Sequence, residues 1–162
     1  MYDVCVQLLH DRGVELEDIA ECAKLLQKDY YPDLTLEEVL DGVKQVISKR
    51  EVQHAIVTGI NLDMMAEEGK LATKELETIL MQDYSLYGVD EVLAYGICNI
   101  YGSIALTNYG YIDRVKPGII AKLNNHEGPQ CNTFLDDIVG AIAASAASKI
   151  AHGKEKGDSS EK

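Results

Sequence analysis

From Phe134 to Ala151 the chain carries apolar and small residues with almost no interruption, and two adjacent carboxylates, Asp136 and Asp137, stand at its opening. A helix built on Ile138-Val139-Gly140-Ala141-Ile142-Ala143-Ala144 is apolar on every side, so it is stable only with neighbours all round it. This predicts an all-α, single multihelical domain whose central buried helix is either the one over residues 133–152 or a second, similarly apolar one over 90–107. Small residues in the run let those neighbours approach closely, while Lys149 and the modest length argue against membrane insertion.

Helical periodicity supplies the neighbours. Val4, Leu8 and Leu9 mark a first short helix closed by Gly13. Residues 15–28 place Ile19, Cys22, Ala23, Leu25 and Leu26 on one face in an i, i+3, i+4, i+7 pattern. Thr35 with Glu38 three residues on reads as a capping box before Leu36, Val39, Leu40 and Val43. Val52, Ile56, Ile60 and Met64 predict a helix over 50–68, stopped by Gly69. Thr73 caps a shorter one. A long apolar helix is expected over 90–107, then a turn at Asn108-Tyr109-Gly110, with Tyr101, Tyr109 and Tyr111 wedging helices beside it and their hydroxyls reaching the rim. Lys116-Pro117-Gly118 opens a short helix, residues 124–132 form a loop, and the charged residues 153–162 read as a disordered tail after a domain spanning 1–152. No alternation long enough for a sheet appears.

At 162 residues one domain is expected, large enough to bury roughly 70% of its unfolded surface. Fifteen Lys and Arg against 27 Asp and Glu leave a net charge of −12, which repels nucleic acid and anionic surfaces. The four cysteines are far apart and make no zinc spacing, so buried reduced thiols are expected. His10, His54, His126 and His152 are scattered, without ligand spacing. No basic n-region follows Met1, and no apolar run reaches about 18 residues, so a cytoplasmic chain without a transmembrane helix is the expectation. A homo-oligomer is left open.

The chemistry lies in the carboxylates. Asp136 and Asp137 adjoin Phe134, Leu135, Ile138 and Val139, and burying such charges costs several kcal/mol unless a cation or donors satisfy them. A hard divalent metal is the simplest partner. The plain alternative is an acidic first turn favoured by the helix dipole and capped by Thr133. Asp90-Glu91 repeats the arrangement, with Asp90 a competent N-cap. Between them Asp113 precedes Lys116 by three residues, and Pro117 biases Lys116 away from helix, which aims its ammonium from a rigid turn. Exposure is the expectation for Arg114.

Three segments now stand in order: Asp90-Glu91-Val92-Leu93-Ala94-Tyr95, then Asp113-Arg114-Val115-Lys116-Pro117-Gly118, then Leu135-Asp136-Asp137-Ile138-Val139-Gly140. Together they resemble the motifs of the bacterial phosphatidylglycerophosphatase A family, which read approximately D-E-x-x-G-Y, F-D-x-x-K-P-x-P-I and D-D-x-x-A-G. The likeness covers residues 88–151 and is nearest to a soluble sub-branch from Bacillus-type bacteria. It implies a magnesium-dependent hydrolase of phospholipid metabolism that removes the terminal phosphate of phosphatidylglycerol phosphate, with Mn²⁺ or Ca²⁺ as alternatives to Mg²⁺. The catalytic group would be Asp113, Lys116, Asp136 and Asp137, and the metal ligands Asp90, Glu91, Asp136 and Asp137. Ala94 stands where glycine is usual, Gly118-Ile119 replaces an aromatic–Pro pair, and the family's glycine- and proline-rich opening segment is absent.

Two readings follow. In one, the chain is a phosphoric monoester hydrolase that takes a phosphomonoester or phospholipid and meets a membrane only at its periphery. In the other, it is a non-catalytic helical domain that binds metal or phosphate, or another protein. The retained acidic motifs favour the first and the missing opening loop favours the second.

Overall fold

The computed structural model describes residues 1–125 and 128–158, the last four as backbone alone. Among the described residues there are nine helices and no strand: α1 Tyr2–Asp11, α2 Leu16–Gln27, α3 Leu36–Ile47, α4 Arg50–Glu67, α5 Lys74–Met81, α6 Val89–Asn99, α7 Ser103–Val115, α8 Ile119–Leu123 and α9 Leu135–Asp158. Every residue from Cys131 to Ser148 is buried, and α2, α3, α4, α6, α7 and α8 pack around α9. The small side chains explain the closeness of this packing. Gln27 donates to the Ala147 carbonyl at 3.1 Å, Ser148 donates to the Tyr101 carbonyl at 3.0 Å, and Gly42 lies against Ala146 and Ile150. The central helix predicted from the apolar run is therefore α9.

Local signals behave as expected where the chemistry is self-contained. Thr35 accepts from the Glu38 amide at 3.2 Å while the Glu38 carboxylate accepts from the Thr35 amide at 2.9 Å. Thr73 accepts from the Leu76 amide, and Gly69, at φ 63°, follows α4. All four cysteines are free and buried. His10 pairs with Glu15 at the surface, and His54, His152 and Arg114 are exposed. His126 lies outside the described residues. The final helix runs past residue 152 to Asp158, while 159–162, the end of the expected tail, also lie outside them.

The long helix expected over 90–107 is two helices. α6 ends at Asn99, and Gly102 takes φ 84°, ψ −165°, a conformation open essentially only to glycine, before α7 starts at Ser103. Nor is Asn108-Tyr109-Gly110 a turn, for it lies within α7. Burial overrides turn propensity here, because Tyr109 packs its ring onto α9, 3.5 Å from where a Cβ on Gly140 would stand. Tyr109 is consequently a core residue, and its hydroxyl, like that of Tyr101, does not reach the rim: both are buried and without a hydrogen-bond partner.

Candidate functional site

Three helix termini and a loop meet at one end of the bundle: the start of α6, the end of α7, the start of α9 and the loop after α5. They enclose a cavity of about 310 Å³ whose wall includes Asp90, Glu91, Asp113, Lys116, Asp136 and Asp137. All six residues singled out in the sequence thus come together. A separate cavity of about 360 Å³, between α2, α7 and the far half of α9, has no charged residue in its lining and is remote from this chemistry.

Lys116 is the hub. It closes α7 in a left-handed conformation, φ 47°, ψ 58°, rather than the extended one that a following proline favours. From there its ammonium reaches Asp113 Oδ1 at 2.6 Å, Asp136 Oδ2 at 2.9 Å and Asp137 Oδ1 at 4.0 Å. Burial opposes its charge, but Asp136 and Asp113 outweigh that and hold its pKa above the ordinary lysine range. Asp83, Leu86 and Lys116 are the three non-glycine residues with positive φ among those described, and all three line this cavity. Backbone strain in this protein is concentrated around the acidic pocket.

The two aspartates of α9 are 6% and 5% exposed. Burial pushes Asp136 up to about 6 against the pull of Lys116. Burial and then the neighbouring Asp136 push Asp137 up to about 8, with Lys116 acting the other way. The Tyr109 hydroxyl stands beside Asp137 outside hydrogen-bond geometry. Asp90 is also buried, and its pKa is raised by desolvation and by Asp83 and Glu91.

Two capping explanations fail. Thr133 does not cap α9, because its hydroxyl donates to the Leu80 carbonyl at 2.7 Å. The amides of Phe134 and Leu135 are taken instead by Asp63, on α4, at 3.0–3.2 Å. The backbone amide that Asp136 accepts is the next one, that of Asp137, at 2.9 Å. At α6 the N-cap is Gly88, at φ 64°, and Asp90 is the second helical residue, accepting from the Glu91 amide. Helix capping therefore accounts for little of the carboxylate density here, although both pairs do stand in the first turns of α9 and α6, where the helix dipole favours them.

The donor chemistry fits a hard divalent cation: oxygen ligands only, several of them buried and mutually repelling. Among the described residues no three acidic, histidine or cysteine side chains are drawn into a closed cage, and the cation that gathers Asp113 and Asp136 is the Lys116 ammonium.

Sequence reasoning missed Asp63, Asp83, Tyr87 and the loop over 84–88. Asp63 carried a usable signal, lying seven residues after Ile56 and three after Ile60, on the buried face of α4. The loop had none beyond its glycine.

Comparison with known proteins widens the likeness beyond the three motifs. The chain is 59% identical over 144 residues to the uncharacterized protein YutG of Bacillus subtilis (strain 168), covering 89% of this chain and 86% of that one. It superimposes on the crystal structure of the low temperature requirement C protein from Listeria monocytogenes with a TM-score of 0.92 at 55% identity, covering 95% and 96% of the two chains. A protein of unknown function from Bacillus stearothermophilus matches with a TM-score of 0.91 at 56% identity, covering 94% of each. The sequence model of the phosphatidylglycerophosphatase A family matches residues 19–152, and the chain belongs to that family.

Proposed function

As a member of that family, we propose, the chain is a metal-dependent phosphomonoester hydrolase acting on phosphatidylglycerol phosphate. The observation that carries the reading is Lys116. A half-buried ammonium fixed by two aspartates, in a cavity rimmed by further carboxylates, suits a terminal phosphate approached together with a divalent cation. Asp136 and Asp137, with Asp90 and Glu91, would hold Mg²⁺, which supplies charge neutralisation and a polarised water. Lys116 takes the phosphate oxygen on which charge grows. Asp113, partly exposed at the mouth, keeps the ammonium oriented. A water oxygen bonds to phosphorus, the bond from phosphorus to the glycerol oxygen breaks, and that oxygen takes up a proton to leave as the alcohol.

A lipid substrate has to be met from the side. No helix among the described residues is long and apolar enough to cross a membrane. The cavity mouth is instead edged by fully exposed Leu86 and half-exposed Tyr84, with Val89 and Val92 exposed beside it. These residues suit acyl chains leaving the pocket, while the net charge of −12 opposes approach to an anionic bilayer. The reading is therefore of a peripheral cytoplasmic enzyme that works weakly on free vesicles unless the metal or a partner recruits it.

Phosphate release from phosphatidylglycerol phosphate in mixed micelles and from soluble phosphomonoesters, with and without Mg²⁺, tests this. Metal-dependent release that is lost in Asp136→Asn and Lys116→Ala supports it. No release from either class favours the rival reading, a domain that binds metal or phosphate without turnover.

A further inference from the structure

On α4, three residues spaced by four meet the segment that opens α9. Gly59 lets the two helices touch: a Cβ there would lie 2.4 Å from Ile138 Cδ1 and 3.0 Å from Phe134 Cβ. Asp63, with no exposed surface, accepts from the Phe134 and Leu135 amides and from the Cys131 thiol. Glu67 accepts from the Cys131 amide at 2.6 Å and pairs with Arg12, whose guanidinium also donates to the Cys131 carbonyl and the Asn132 side chain. Residues i, i+4 and i+8 share a helix face, so this is one continuous rail beneath residues 131–138.

The α9 helix cannot cap itself. Phe134 at its N-cap offers no side-chain acceptor, Thr133 is turned to Leu80, and the Phe134 and Leu135 amides would otherwise be buried without partners. A carboxylate from 71 residues away fills the role. The next two residues after Leu135 are Asp136 and Asp137. Whatever fixes the first turn of α9 therefore fixes how those two carboxylates face Lys116.

We infer that Asp63, seated between Gly59 and Glu67 on α4, is a positioning residue that sets the Asp136–Asp137 pair against Lys116. As a statement about catalysis this rests on the phosphatase reading; as a statement about geometry it does not.

Hydrogen exchange resolved by peptide, on the full chain, tests the geometric half. Asp63→Asn keeps the shape but replaces one acceptor oxygen with an amide that repels the incoming N–H groups. Exchange over residues 132–140 should rise by about tenfold or more, while α2 and α3 stay within about twofold, because a lost cap opens its own turn first. Gly59→Ala presses on the same turn without touching any charge and should give the same local pattern; it carries the test if Asp63→Asn does not fold. Unchanged exchange over 132–140 in both variants, or a rise spread evenly through α2 and α3, overturns the inference. If wild type hydrolyses phosphomonoesters, kcat in Asp63→Asn should fall at least about tenfold with KM within about threefold, as displaced catalytic groups predict. A kcat close to wild type beside the local opening also overturns it. Local opening in variants of a chain that hydrolyses nothing leaves the positioning intact and removes the phosphatase reading instead.

Discussion

Replacing Asp137 by asparagine should stabilise the metal-free protein at alkaline pH and do nothing at acid pH. Asp137 is 5% exposed and its pKa is raised from 3.8 to about 8 by burial and then by Asp136. Because the folded value lies above the unfolded one, the folded state binds the proton more tightly. The stability that this proton lends is complete below about pH 4 and is lost as pH climbs toward 8. A gap of about four units at roughly 1.4 kcal/mol each bounds the loss at about 5–6 kcal/mol. Relaxation of the pocket and water entry should reduce it to roughly 2–3 kcal/mol. The asparagine side chain of the Asp137→Asn variant is neutral at every pH and fills nearly the same volume, so it escapes this loss. For a chain of 162 residues each kcal/mol moves Tm by about 2–4 °C, which predicts a gain of about 5–10 °C at pH 8 and little change at pH 4. Thermal unfolding followed by circular dichroism, in chelator, at pH 4, 6 and 8, reads this directly. A variant no more stable than wild type at pH 8 refutes the reasoning, as does a gain of the same size at all three pH values.

Three further outcomes follow from the same pocket and from the break between α6 and α7. Millimolar Mg²⁺ should raise the wild-type Tm, more at pH 8 than at pH 5.5, since protons and metal compete for Asp136 and Asp137; differential scanning fluorimetry with Asp136→Asn as control checks it. Lys116→Met should destabilise by roughly 1–3 kcal/mol at pH 8 in urea unfolding and by less at pH 5, where protonated aspartates no longer need the ammonium. Gly102→Ala should lose about 1–3 kcal/mol through backbone strain alone, because a Cβ there meets nothing within 4 Å; an unchanged urea midpoint would show that the α6–α7 break does not depend on that conformation.

The fold was readable wherever burial and capping are local. A run that is apolar on all sides can only be a core helix, and α9 is one. The Thr35–Glu38 box needs four consecutive residues and nothing else. The failed long helix shows the limit of this. Gly96, Gly102 and Gly110 all interrupt the same apolar pattern, yet only Gly102 breaks a helix. What separates them is the packing around them, as in the ring of Tyr109 laid on α9 beside Gly110, and that lies outside any local window of sequence.

The site divides along the same line. Asp90, Glu91, Asp113, Lys116, Asp136 and Asp137 were legible because each stands beside a helix terminus, and termini at one end of a bundle converge. The spacing on α4 marked Asp63 as buried, but its role was not legible, because the amides it serves lie 71 and 72 residues on. Lys116 was legible in role but not in shape. Proline rules predict an extended residue, whereas a left-handed one costs roughly 1–2 kcal/mol in a residue that has a Cβ. Two ion pairs to buried or half-buried aspartates offset that strain, and they form only if the ammonium points inward from the end of α7. Asp83 and Leu86, which also line the cavity, likewise take positive φ. For Lys116 the ion pairs over-determine the conformation, whereas Leu86 is fully exposed and no packing around its side chain holds it there.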